Sequence, residues 1–113
     1  MQTNEAFLEY ESVRHRLPAV SEIGQCLHLS NLEDLIDEID VFLLDAFGVL
    51  NIGNTAIEGV PERVSKLQSI GKRVIVVSNA GGFPHALLMK KYADLGYNFD
   101  TEDVITSRKA LLR

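Results

Sequence analysis

Two short apolar runs limit what this chain can fold into. Ile39-Asp40-Val41-Phe42-Leu43-Leu44-Asp45 and Arg73-Val74-Ile75-Val76-Val77-Ser78 are rich in β-branched and long apolar residues, lack alternation, and each ends in a polar residue. Such runs suit parallel strands covered on both faces, because a strand with one wet face alternates polar and apolar positions. Parallel neighbours need a crossover, and the intervening sequence supplies one. Val60, Val64, Leu67 and Ile70 recur at helical spacing around Pro61, and Gly71 marks the stop. Beyond Ala80-Gly81-Gly82, a second helix is predicted from about Pro84 to Leu95, ended by Gly96. A third strand, Asp103-Val104-Ile105-Thr106, leads into Ser107 as the cap of a closing helix. This order predicts an α/β fold: a Rossmann-like, three-layer parallel sheet of about three strands with flanking helices, joined by right-handed crossovers.

Residues 1–38 stand apart from the α/β unit of residues 39–113 as an N-terminal helical segment. An amphipathic helix is predicted over 5–17, with Phe7, Tyr10, Val13 or Arg14, and Leu17 at helical spacing and Pro18 as its stop. Ser30-Asn31-Leu32-Glu33 matches a capping box, in which Ser30 and Glu33 satisfy reciprocal backbone donors. The acidic residues from Glu33 to Asp40 then read as a solvated helix face and the entry to the first strand.

Composition narrows the function classes. Eleven Lys and Arg against sixteen Asp and Glu leave a formal charge of −5, which argues against a nucleic-acid partner. No apolar run approaches the roughly 20 residues of a membrane span, and the first residues lack the pattern of a signal peptide. The lone Cys26 excludes an internal disulfide and reads as a small, semi-buried hydrophobe. A cytoplasmic location follows as the expectation.

In open α/β sheets, ligands gather outside the carboxyl ends of the strands. Asp45 and Ser78 occupy those positions. A carboxylate at a buried strand tip can act as nucleophile, metal ligand or loop cap. Ser78-Asn79 can bind an anion through the hydroxyl and nearby backbone N–H groups, or cap the helix that follows.

These segments resemble a known family. Val41 to Leu50 resembles motif I of the haloacid dehalogenase-like hydrolases, an apolar strand followed by Asp-x-Asp-Gly-Val-Leu, and Val74 to Asn79 resembles motif II, an apolar strand ending in Ser or Thr. Ile57-Glu58-Gly59-Val60-Pro61, Gly71-Lys72-Arg73, Leu95-Gly96 and Val104-Ile105-Thr106-Ser107 bring the pattern close to subclass two-A, which includes many small-metabolite phosphatases. The resemblance runs from Val41 to Arg113. It implies that Asp45 is a nucleophile forming an aspartyl-phosphate and a ligand of Mg²⁺, that the backbone carbonyl of Phe47 is a second metal ligand, and that Ser78 and Asn79 hold phosphate. A small phosphorylated metabolite is the implied substrate.

Two departures bear on activity. The residue two beyond the nucleophile normally donates a proton, and here it is Phe47. His85 is the nearest ionisable residue that could substitute, although it sits early in a helix. The family's downstream lysine and acidic motifs follow an inserted cap and are absent; Arg108 and Lys109 do not occupy the lysine's motif, and Asp100, Glu102 and Asp103 read as solvated turn residues at the opposite end of the third strand. The expectation is therefore a phosphohydrolase fragment, weak or inactive alone, with a non-catalytic binding or assembly module as the alternative. A receiver-like domain fits less well, since it carries five strands and an acidic pair upstream. In the family the first strand is central, so this chain is expected to bare it as an edge. It should then self-associate unless Phe7, Tyr10 and Leu17 fold back to cover it.

Overall fold

The computed structural model describes residues 2–112. Three parallel strands, β1 (Val41–Leu44), β4 (Arg73–Ser78) and β5 (Val104–Thr106), form a sheet in the order β1-β4-β5. Val41 pairs with Arg73 and Leu44 with Val76, while Ser78 pairs with Thr106. Helix α2 (Val60–Ser69) joins the first two of these strands and α3 (His85–Asp94) the second two. Gly71 and Gly96, at φ +83° and +91°, follow the C-caps of these helices, where a left-handed residue terminates the turn at least cost in glycine.

Both crossovers step the same way across the sheet, and right-handed connections then lay both helices on one face. The core reflects this. Phe42, Val74, Val76 and Val104 from the strands cluster with Val64 and Leu67 of α2 and Leu88 and Tyr92 of α3. The strands were expected to be buried on both faces; among the described residues the opposite face stays open. Val41, Leu43 and Val77 are 46%, 66% and 44% exposed. A second helical layer requires the chain to reverse direction across the sheet, and among the described residues only α4 (Ser107–Leu111) begins beside that face.

The loop after β1 holds elements too short for a periodic signal: the antiparallel pair β2 (Asn51–Ile52) and β3 (Thr55–Ala56). Tyr97 donates its hydroxyl to the Leu50 carbonyl at 2.6 Å, tying this loop to the connection beyond α3. Tyr92 meets Tyr97 and Phe99 edge-on, with centroids 6.4 and 5.7 Å apart.

Several expectations are corrected. The first helix, α1, is Thr3–Val13, followed by a 3₁₀ turn at Arg14–Arg16, and none of its residues is buried. Position 14, which would continue the apolar stripe, is an Arg paired with Glu11. Phe7, Tyr10 and Leu17 are therefore exposed and do not cover β1. Cys26 is exposed rather than semi-buried.

The predicted capping box between Ser30 and Glu33 does not form, and the cap is Asn31 instead. Asn31 Oδ1 accepts from the Glu33 amide at 2.7 Å, and Asp34 Oδ2 accepts from the Ser30 amide at 3.0 Å. Glu33 itself pairs with Arg63, at 2.6 Å, and with Lys66, both on α2. These two cations hold its carboxyl below the usual range, first through the Lys66 hydrogen bond and then through that of Arg63. At the closing helix the cap is Thr106, whose Oγ1 accepts from the Lys109 amide at 3.1 Å, rather than Ser107. Asp103 is not simply solvated: it pairs with Arg73 at 2.6 Å and its side chain is 17% exposed. No helix of the described residues is long and apolar enough to cross a membrane.

Candidate active site

Asp45 and Ser78 are brought together by register. Leu44 pairs with Val76, so the residue after β1 and the last residue of β4 emerge at the same end of adjacent parallel strands. Beyond Asp45 the backbone turns back tightly: the Ala46 carbonyl accepts from the amides of Leu50 and Asn51 at 2.8 and 3.1 Å, and Gly48 takes φ +79°. Asp45 remains exposed, with Oδ1 accepting from the Ala46 amide at 2.7 Å.

Ser78 is buried, and its Oγ accepts from the Ala80 amide at 3.2 Å, which leaves the hydroxyl proton to donate. The Asn79 carbonyl accepts from the Gly81 amide at 2.7 Å and from Ser107 Oγ at 3.4 Å. A Cβ on Gly81 would stand 3.2 Å from Ser107 Oγ, a tight approach that the serine hydroxyl would have to relieve by a few tenths of an ångström.

An open cleft of about 410 Å³ is lined by Asp45, Ser78, Asn79, Thr106 and Ser107, over a floor of Val77 and Ile105. Ser78 and Asn79 also line a smaller cavity of about 160 Å³ with Ala46, Phe47, Lys91 and Tyr92. Phe47 is thus adjacent to the cleft but offers it no ionisable group, and its side chain is 71% exposed. His85 does not line either space; its Nε2 lies 3.2 Å from the Thr101 carbonyl. Lys109 is likewise engaged, donating to the carbonyls of Thr101 and Val104 at 2.8 and 3.2 Å.

Among the described residues no three His, Cys, Asp or Glu side chains gather as a metal cage. What Asp45 and the Phe47 carbonyl can offer is a pair of oxygen donors from one loop. That set suits a hard cation that keeps several waters and shares its remaining positions with a phosphate.

Thr106, Ser107 and Tyr92 were not named as site residues from the sequence. For Tyr92 a signal existed, since it lies four residues after Leu88 on the core stripe of α3, and a buried Tyr needs a partner for its hydroxyl.

The family comparison agrees with this architecture. A model described as haloacid dehalogenase-like hydrolase matches residues 42–113, from β1 through α4. The chain belongs to that family. It is 37% identical to phosphoglycolate phosphatase 1A, chloroplastic, of Arabidopsis thaliana over 79 residues, which is 70% of this chain and 22% of that protein. With 4-nitrophenylphosphatase of Schizosaccharomyces pombe it shares 36% identity, over 66% of this chain and 25% of the relative. With glycerol-3-phosphate phosphatase of Homo sapiens the figures are 33%, 70% and 26%. Among solved structures, a hypothetical protein from Pyrococcus horikoshii matches with TM-score 0.57 and 28% identity, over 61% of this chain and 26% of the other. The chain spans between a fifth and a third of the length of these relatives.

Proposed function

We propose that this chain carries the nucleophile and phosphate-binding elements of a Mg²⁺-dependent phosphatase for a small phosphorylated metabolite. The observation that carries the reading is the convergence of Asp45, Ser78 and Asn79 on one cleft at the carboxyl end of the sheet. The phosphatase names of the relatives support it.

In this reading an Asp45 carboxylate oxygen attacks phosphorus in line. The phosphorus–oxygen bond to the leaving alcohol breaks, and an aspartyl-phosphate forms. Water then attacks phosphorus, releasing inorganic phosphate and restoring Asp45. Ser78 and Asn79 hold the phosphoryl oxygens through the first step, when negative charge spreads over them. Mg²⁺, held by Asp45 and the Phe47 carbonyl, would neutralise part of that charge. Phe47 has no proton for the leaving oxygen, which must take one from water; general acid assistance is typically worth about 10²–10⁴-fold, so turnover is slow. The proposed setting is the cytoplasm, where the exposed Cys26 stays reduced.

The test is phosphoryl trapping. The chain is incubated with an aryl phosphate and Mg²⁺, quenched in acid and digested. A hydroxylamine-sensitive phosphoryl group is expected on the peptide containing Asp45, and none in Asp45→Asn. Label elsewhere, or label unchanged by that substitution, sinks the reading.

A non-catalytic assembly role is the second reading, favoured by the exposed β1 edge and by Phe47. In it, copies pair along Val41–Leu44, a row of unpaired strand groups flanked by the exposed side chains of Val41 and Leu43. Sedimentation at micromolar concentration is expected to show a dimer or larger species that Leu43→Lys disperses. A monomer at every concentration removes this reading.

A further inference from the structure

We propose that the Tyr92 hydroxyl is a further phosphoryl-binding donor, presented to the site from the small cavity beside Ser78. The inference rests on the phosphatase reading above. Tyr92 is 2% exposed, and its hydroxyl meets no hydrogen-bond partner among the described residues. Its neighbour Tyr97 belongs to the same ring cluster and is buried to a similar degree, yet donates to the Leu50 carbonyl at 2.6 Å. Buried hydroxyls in folded proteins are nearly always paired, because an unpaired one forfeits its hydration without return.

The cavity indicates what kind of partner completes Tyr92. Its wall brings Tyr92 together with Ala46, the residue after Asp45, and with Ser78 and Asn79. Ser78 Oγ already accepts from the Ala80 amide, and its hydroxyl proton can still donate. Lys91 lines the same cavity, with its Nζ 5.8 Å from the centroid of the Phe83 ring. Tyr92 and Ser78 each have a hydroxyl proton to donate and line one cavity, which suits an acceptor-rich group, and a phosphoryl oxygen entering from the Asp45 cleft is one. At about 160 Å³ the cavity also has room for water, which takes about 30 Å³ in the liquid. Burial, and secondarily the Asp45 charge, push the Tyr92 hydroxyl up from its ordinary pKa. It therefore stays protonated, and able to donate, at neutral pH.

The experiment places ¹³C at Cζ of the three tyrosines of the full 113-residue chain and titrates it with inorganic phosphate in the presence of Mg²⁺. The Tyr92 signal is assigned by its loss in Tyr92→Phe. Phosphate is expected to shift Tyr92 Cζ saturably and to leave Tyr10 Cζ unmoved. Tyr92→Phe should weaken phosphate binding, followed by the Ala80 amide, by roughly tenfold or more. If the Ala80 amide responds while Tyr92 Cζ stands still and Tyr92→Phe binds equally well, the hydroxyl serves only a resident water. That outcome overturns the assignment of Tyr92 and leaves the phosphatase reading intact. If phosphate moves neither the Asp45 nor the Ala80 amide, the phosphate site and the role of Tyr92 fall together.

Discussion

Residues 2–40 and residues 41–112 are both well supplied with apolar side chains, but only the second region buries them. Every buried position of the described chain lies at or beyond Phe42. In α2, Val64 and Leu67 lie three residues apart and both reach the face of β4 and its neighbours. In α1, Phe7 and Tyr10 have the same spacing and are 60% and 72% exposed. Helical periodicity thus prepares a stripe for burial; a facing surface within reach of the connecting chain completes it. For α2 the crossover supplies that surface, since its strands are fixed on either side. For α1 the link to the sheet runs through residues 18–29, which contain no helix or strand. Contact between the regions is made close to β1, by Ile36 and Ile39 against the core and by Glu33 on Arg63 and Lys66.

This contrast can be broken most decisively in the core. Leu67→Ala should cost about 2–5 kcal/mol of stability, whereas Phe7→Ala should stay within about 0.5 kcal/mol. Urea unfolding of both variants checks the pair; comparable losses would mean that α1 packs in solution. A smaller effect separates the observed cap from the expected one. Asn31→Ala should lose about 1 kcal/mol and Ser30→Ala almost nothing, as read by shifts of the denaturation midpoint. The reverse order would restore Ser30 as the cap.

The smallest effect concerns acid. Because Glu33 has a lowered carboxyl pKa in the folded chain, the unfolded state binds its proton first as pH falls. Its contribution is complete above the ordinary carboxylate value and is lost as pH drops through the lowered one. Glu33→Gln should flatten that part of the stability profile, and added salt should do much the same, since the pairs are exposed. A profile identical to wild type would show that the Glu33 pairs with Arg63 and Lys66 contribute nothing.

Local chemistry made much of this fold legible in advance. β1, β4 and α2 fall close to their predicted positions because unbroken apolar runs and terminal glycines act over a few residues. Asp45 and Ser78 could be picked out as strand-end polar residues before any coordinates, and the motif pattern pointed to the family that residues 42–113 match. The displaced cap was not legible, because Glu33 is drawn away by cations on α2, some thirty residues along the chain. The pair β2 and β3 has two residues in each strand, too few to show alternation.

The sequence alone therefore determined the strands, the crossover helices and the residues available for chemistry, since each rests on neighbours within a turn or a pleat. Tertiary structure decided the rest. It left one face of the sheet open, because two crossovers in the same direction cover only the other. It also made Tyr92 part of the cavity wall shared with Ser78, its hydroxyl without a partner among the described residues, and gave Tyr97 the Leu50 carbonyl, a division between two buried tyrosines that depends on which backbone group each meets across the fold.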